Sequence, residues 1–191
     1  MPLARAQYYP VGHVAVTFTD AARGNRPVPV DIYYPAATAG DNVPFATAIT
    51  GRVPVVTFGH GFVMTIDAYT NIRNAVASRG FIIAFPTTEG SFSPSHSTFA
   101  QDLVYTMQQV TALGGNAASP LFGHTDTMNC VMGHSMGGGA AVLAAATAGS
   151  GIKSLLAFAP AETTPSAIGA AANVTVPSLI FAGNNDCVTP P

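Results

Sequence analysis

The chain has 191 residues, with 7 basic and 9 acidic side chains and a formal net charge of -2. Hydrophobic residues make up 48% of it and charged residues only 8%, where an ordinary soluble domain carries about 25% charged residues. The length suits one domain with a full apolar core; disorder is excluded, and the lack of any Lys/Arg cluster argues against nucleic acid, which needs a concentrated basic face.

Two early segments, 14–19 and 28–34, alternate in hydrophobicity like half-exposed strands. Residues 36–51 are polar, contain glycine and proline, and read as a loop. Continuous apolar runs follow at 53–58, 81–85, 128–132, 154–158 and 178–182, the pattern of strands covered on both faces. Pro54 falls at the first turn of its strand, where its missing donor does least harm. Helical patterns separate these runs. Ile66, Tyr69, Ile72 and Val76 share one face before Gly80 stops the helix. Phe99, Leu103, Met107 and Val110 form a second stripe, closed by Gly114 and Gly115. The small-residue run 137–148 makes a third helix ending at Gly149, and 166–172 a weaker fourth. Such alternation predicts an α/β fold, a mostly parallel sheet with helices on both faces and the first two strands antiparallel at one edge.

Residues 128–152 carry no charge and are long enough to cross a bilayer. Asn129, His134, Ser135 and the glycines Gly137, Gly138 and Gly139 instead fit a buried strand, a tight turn and a buried helix, so no membrane span is expected. Residues 1–7 lack the apolar core of a signal peptide, although a processed secreted protein with an added start methionine would read the same. Of the two cysteines, Cys130 reads as a small core residue and Cys187 as a loop thiol free to pair outside the chain. No His/Cys/Asp cluster has ligand spacing, so neither a metal nor an organic cofactor is expected.

The sharpest signal is Gly133-His134-Ser135-Met136-Gly137, a G-x-S-x-G pattern directly after a strand run and directly before a small-residue helix. To lift its hydroxyl above the sheet, the serine must sit on a sharp, strained turn. The residues two before and two after it are then pressed together, and glycine at both answers that requirement. Ser135 is therefore the candidate nucleophile. Gly59-His60-Gly61-Phe62 follows an earlier parallel strand. A turn there can set the amide of Phe62 opposite that of Met136, giving two donors for a tetrahedral oxyanion.

These two motifs, followed by Gly183-Asn184-Asn185-Asp186, resemble the α/β-hydrolase superfamily in order and spacing, from about Tyr9 to Pro190. Within it, the stretch 26–35 (Arg-Pro-Val-Pro-Val-Asp-Ile-Tyr-Tyr-Pro) resembles the branch of dienelactone hydrolases, chlorophyllases and platelet-activating-factor acetylhydrolases, with cutinase-like polyester hydrolases nearby. The resemblance implies a serine carboxylic-ester hydrolase with Asp186 as the triad acid and Glu162 as the fallback. Phe62, Phe92 and His60 are the expected substrate-binding residues, and Phe62 and Phe92 suggest an apolar acyl or alkyl site. It also favours a secreted or periplasmic location.

The chain departs from the pattern at the general base. In the superfamily a histidine follows the acid after a further helix and strand, but only five residues follow Asp186 here. Of the five histidines, His13, His60, His124 and His134 read as structural, and only His96 could face the site. The expected base is thus a histidine C-terminal to this chain, on a further segment of the same protein or on a separate piece. Without that segment, the sheet is expected to expose an unpaired edge and apolar surface. A non-catalytic binding protein, or a thioester, lactone or amide hydrolase with the same site, is the alternative.

Overall fold

The alternating segment near the start becomes β1 (Val11–Asp20), which turns back into β2 (Arg26–Pro35) as an antiparallel pair. This computed structural model describes residues 8–147 and 149–190; residues 1–7, read above as lacking a leader, lie outside them. Gly24 and Asn25 make the reversal at φ 67° and 58°, the left-handed region that glycine and asparagine tolerate best. Val28, Val30, Ile32 and Tyr34 of β2 are buried on one face. The segment 36–51 is mostly loop, but Gly40–Asp41 forms a two-residue strand, β3, parallel to β1. A strand so short carries no hydrophobic period for sequence reasoning to detect.

The apolar runs become β4 (Val55–Gly59), β5 (Ile82–Pro86), β6 (Asn129–His134), β7 (Ile152–Phe158) and β8 (Ser178–Phe181), all mutually parallel. Pro54 lies just before β4, so no ladder bond is lost. The eight strands make one sheet in the order β3-β1-β2-β5-β4-β6-β7-β8. From β4 the chain crosses to β5 on one side, then returns past β4 to β6 on the other. That reversal opens a crevice at the carboxyl ends of β4 and β6, where open α/β sheets bind ligands.

Helix α1 (Thr70–Ala77) enters through a 3-10 turn at Ile66–Tyr69 and covers one face of the sheet, against Val56, Phe58, Ile83 and Phe85. Helix α2 (His96–Ala112), capped by Ser95, buries the whole expected stripe of Phe99, Leu103, Met107 and Val110 on the opposite face. Helix α3 (Met136–Ala146) packs beside it, and the short α4 (Ala167–Ala171) adjoins α3. Because α3 presents mainly glycine and alanine, its backbone lies close to the strands.

Cys130 is half-buried and Cys187 exposed, and both are free. Burial pushes the Cys130 thiol above its usual range. At the far edge Leu179, Ile180 and Phe181 of β8 are all exposed. On the α1 face, an open groove of about 600 Å³ is lined by Val56, Met128, Met132 and Leu156, of which Met128 is exposed. Among the described residues, no helix is long and apolar enough to cross a membrane.

Candidate active site

Strand β6 delivers the chain into the elbow, and Ser135 sits there at φ 53°, ψ -121°. A non-glycine residue in that region costs about 1–3 kcal/mol and persists only when its surroundings enforce it. Three backbone bonds do so. The Ser135 N–H donates to Phe158 O at 3.0 Å, while its carbonyl accepts from Gly139 N–H at 3.0 Å and Ala161 N–H at 2.9 Å. Strain is not confined to the serine. Val63, Glu89 and Ala159, which follow β4, β5 and β7, also have positive φ, so four strand ends at one rim of the sheet hold costly backbone.

The glycines of the motif are explained by contact. A Cβ on Gly133 would strike the Gly137 carbonyl, and one on Gly137 would strike the carbonyls of Gly59 and His60. The elbow and the turn after β4 therefore meet backbone to backbone. Gly138 and Gly139 meet Pro160 and the Ala161 carbonyl in the same way. Gly137→Ala has no side chain to displace, only main chain, and we expect a loss of more than about 3 kcal/mol. Urea unfolding of that variant beside Gly90→Ala, where an added Cβ meets nothing within 4 Å, checks this; equal midpoints would contradict it.

After β4, the turn carries His60, Gly61 and Phe62. His60 is 2% exposed. Its Nδ1 lies 2.9 Å from Gly61 O and its Nε2 2.8 Å from Thr88 O, and a neutral ring donates to one of the two. His60 thus ties the turn to the loop after β5 and is too deep to touch substrate, which corrects its expected substrate-binding role. Phe62 is 49% exposed, Phe92 is 82% exposed, and their rings meet edge to face at 6.3 Å. The structure brings these two together as an aromatic patch. Met136 is buried as the first residue of α3, a position whose amide has no acceptor within its own helix.

Asp186 lies in the loop after β8, where its carboxylate accepts from Val188 N–H at 2.9 Å, Thr189 N–H at 3.0 Å and the Thr189 hydroxyl at 2.8 Å. The Thr189 amide and hydroxyl hold it below the usual carboxylate range, with smaller help from the Val188 amide. Glu162, the fallback acid, is engaged otherwise. Its carboxylate accepts from Ile168 N–H at 3.0 Å and bonds Ser166, the cap of α4.

The histidines are occupied. His13 lies between Asp31 and Asp41 on β1–β3. His124 stacks on Phe45 at 4.0 Å. His96 Nδ1 accepts from Thr164 N–H at 3.1 Å, and His134 Nδ1 is 3.0 Å from the Tyr69 hydroxyl.

Sequence reasoning passed over two polar groups. Tyr69 was read as part of an apolar stripe, yet its hydroxyl lies at the junction of both turns. Asp102 is wholly buried on α2 among that helix's apolar residues. It accepts from Thr88 Oγ1 at 2.6 Å and Arg26 Nη2 at 2.8 Å, while Arg23 Nη1 lies 2.7 Å away as an ion pair without hydrogen-bond alignment. A carboxylate one position before Leu103, four residues from the buried Thr106, was the available signal. Among the described residues, no three His, Cys, Asp or Glu side chains gather as a metal site.

A switch-point crevice, a strained serine between strand and helix, and a glycine turn pressed against it define an α/β-hydrolase. The chain belongs to the family described as PET hydrolase-like, which matches residues 6–191. It is therefore a hydrolase acting on esters. No curated protein matches it.

Proposed function

We propose that the protein cleaves carboxylic esters, polyesters with apolar or aromatic units among them, through an acyl-enzyme on Ser135. The observation that carries this reading is the strained Ser135 backbone at the crevice, braced by three main-chain bonds. The Ser135 hydroxyl attacks the ester carbonyl as its proton passes to a histidine. The tetrahedral oxyanion accepts from the amides of Phe62 and Met136, donors aimed where charge develops. Collapse returns the proton to the departing alcohol, and water then releases the acid by the same steps in reverse order. Asp186, kept ionised by its turn, orients that histidine and stabilises the imidazolium.

The base is a histidine in sequence C-terminal to Pro191, contributed by the same protein or a separate piece. Each of the five present is engaged elsewhere, and the exposed β8 edge and α1-face groove offer surface for such a segment. The Phe62–Phe92 patch suits a flat apolar unit beside the scissile bond. A polymeric substrate cannot enter a cell, so a polyester role carries secretion with it.

Incubation with an organophosphonate, on protein expressed with its full C-terminal sequence, is expected to leave an adduct on the peptide containing Ser135 as ester turnover stops. Full turnover loss with the label elsewhere, or no label at all, overturns the proposal. A pocket that only binds esters would show neither turnover nor adduct.

A further inference from the structure

Resting on the catalytic reading above, we propose that the Tyr69 hydroxyl is a positioning group that pins the oxyanion turn to the nucleophile elbow, so that the Phe62 and Met136 amides converge on one point.

Tyr69 closes the 3-10 turn before α1 and is buried. Its ring packs on Phe58 at 4.8 Å and Phe85 at 6.5 Å, both from central strands, which aims the hydroxyl at the junction of the two turns. There it accepts from Gly61 N–H at 2.7 Å and lies 3.0 Å from His134 Nδ1 and 3.1 Å from Met64 Sδ. Gly61 directly precedes Phe62, and His134 directly precedes Ser135. One oxygen therefore spans both halves of the oxyanion site.

A hydroxyl has two acceptor sites and one proton. Taking the Gly61 N–H leaves the proton for His134 or Met64. Burial raises the phenol above its ordinary range, so that proton stays in place. The pin answers a specific weakness. Glycine rotates freely, and a turned Gly61–Phe62 peptide would point the Phe62 amide away from the reacting carbonyl. Three groups also crowd Gly61: an added Cβ would meet Met64 Sδ at 2.7 Å, Tyr69 Oη at 3.1 Å and His134 Nδ1 at 3.2 Å. The site is built around a bare backbone held by one hydroxyl.

The oxyanion forms only in the transition state, so misplacing its donor lowers kcat and leaves KM alone. A purely structural hydroxyl would lower thermal stability without that split. Tyr69→Phe keeps the ring and removes the pin. In protein expressed with its full C-terminal sequence, kcat is expected to fall about tenfold, with KM within about twofold. Affinity for a boronic-acid transition-state mimic should fall in step with kcat, and the Gly61 amide should exchange its proton faster. Unchanged kcat, or a change in KM alone, overturns the proposal. If Tyr69→Phe does not fold, His134→Ala tests the pin from the elbow side, where a similar kcat loss supports it and normal kcat overturns it. Ser135→Ala run in parallel separates the two ideas. Turnover surviving in that variant removes the catalytic reading itself, whereas a dead Ser135→Ala beside a normal Tyr69→Phe removes only the pin.

Discussion

Ser135→Ala is expected to lose ester turnover by a factor of about 10⁴ or more while remaining folded. The reason is chemical. Without the hydroxyl no acyl-enzyme forms, and water must attack directly, helped only by binding and the oxyanion donors. The backbone argument makes the companion result equally specific. Alanine inherits the strained φ of 53°, but glycine accepts it freely. Ser135→Gly should therefore be just as inactive yet about 1 kcal/mol more stable than the parent. Steady-state kinetics and urea unfolding measure the two effects separately. A Ser135→Gly variant less stable than Ser135→Ala would mean the elbow is not strained.

Asp102→Ala is expected to destabilise the protein by about 3 kcal/mol, a fall in Tm of roughly 10 °C. The carboxylate is wholly buried and holds three elements together: Arg23 and Arg26 of the first hairpin, α2 itself, and Thr88 of the loop after β5. Deleting it takes the shared buried counter-charge from two part-buried guanidiniums, leaving Arg23 with Asp20 and Arg26 with Glu89, and orphans the Thr88 hydroxyl; losing one member of a buried network costs far more than losing a surface pair. Arg26→Met should cost less, because Asp102 keeps Arg23 and Thr88. The Thr88 carbonyl also lies 2.8 Å from His60 Nε2, so activity should drop further than the melt of Asp102→Ala alone implies. Calorimetry on both variants checks the ranking; equal losses would mean that the carboxylate is not the centre of the network.

The order of strands and helices was legible because each follows from a local period. The continuous runs at β4, β5 and β6 mark strands covered on both faces, and the spacing of Phe99, Leu103, Met107 and Val110 marks one helical face. The elbow was legible for a different reason. Gly133 is demanded by a clash within the strand–serine–helix turn itself, and Gly137 by the backbone of the neighbouring turn at Gly59 and His60. The polar ties were not legible. Arg26 and Asp102 lie 76 residues apart, and nothing local to either announces the other. His60 belongs to the glycine turn after β4, yet the Thr88 carbonyl that draws it inward sits on another strand end. Periods reveal which face is buried; they do not reveal which hydroxyl or carbonyl a buried polar group will find there. Tyr69 shows the same limit, since an aromatic ring on an apolar stripe hides what its oxygen does.

The glycine contacts beneath Ser135 divide the crevice into two materials. Its floor is main chain against main chain, at Gly59, Gly133, Gly137 and Pro160, with no side chain to trim or enlarge. Its rim is a pair of loops bearing Phe62 and Phe92 that face solvent. Changes that adapt the enzyme to a bulkier or more flexible ester can therefore be written only into the rim, while the floor acts as a fixed die against which every new substrate has to be fitted.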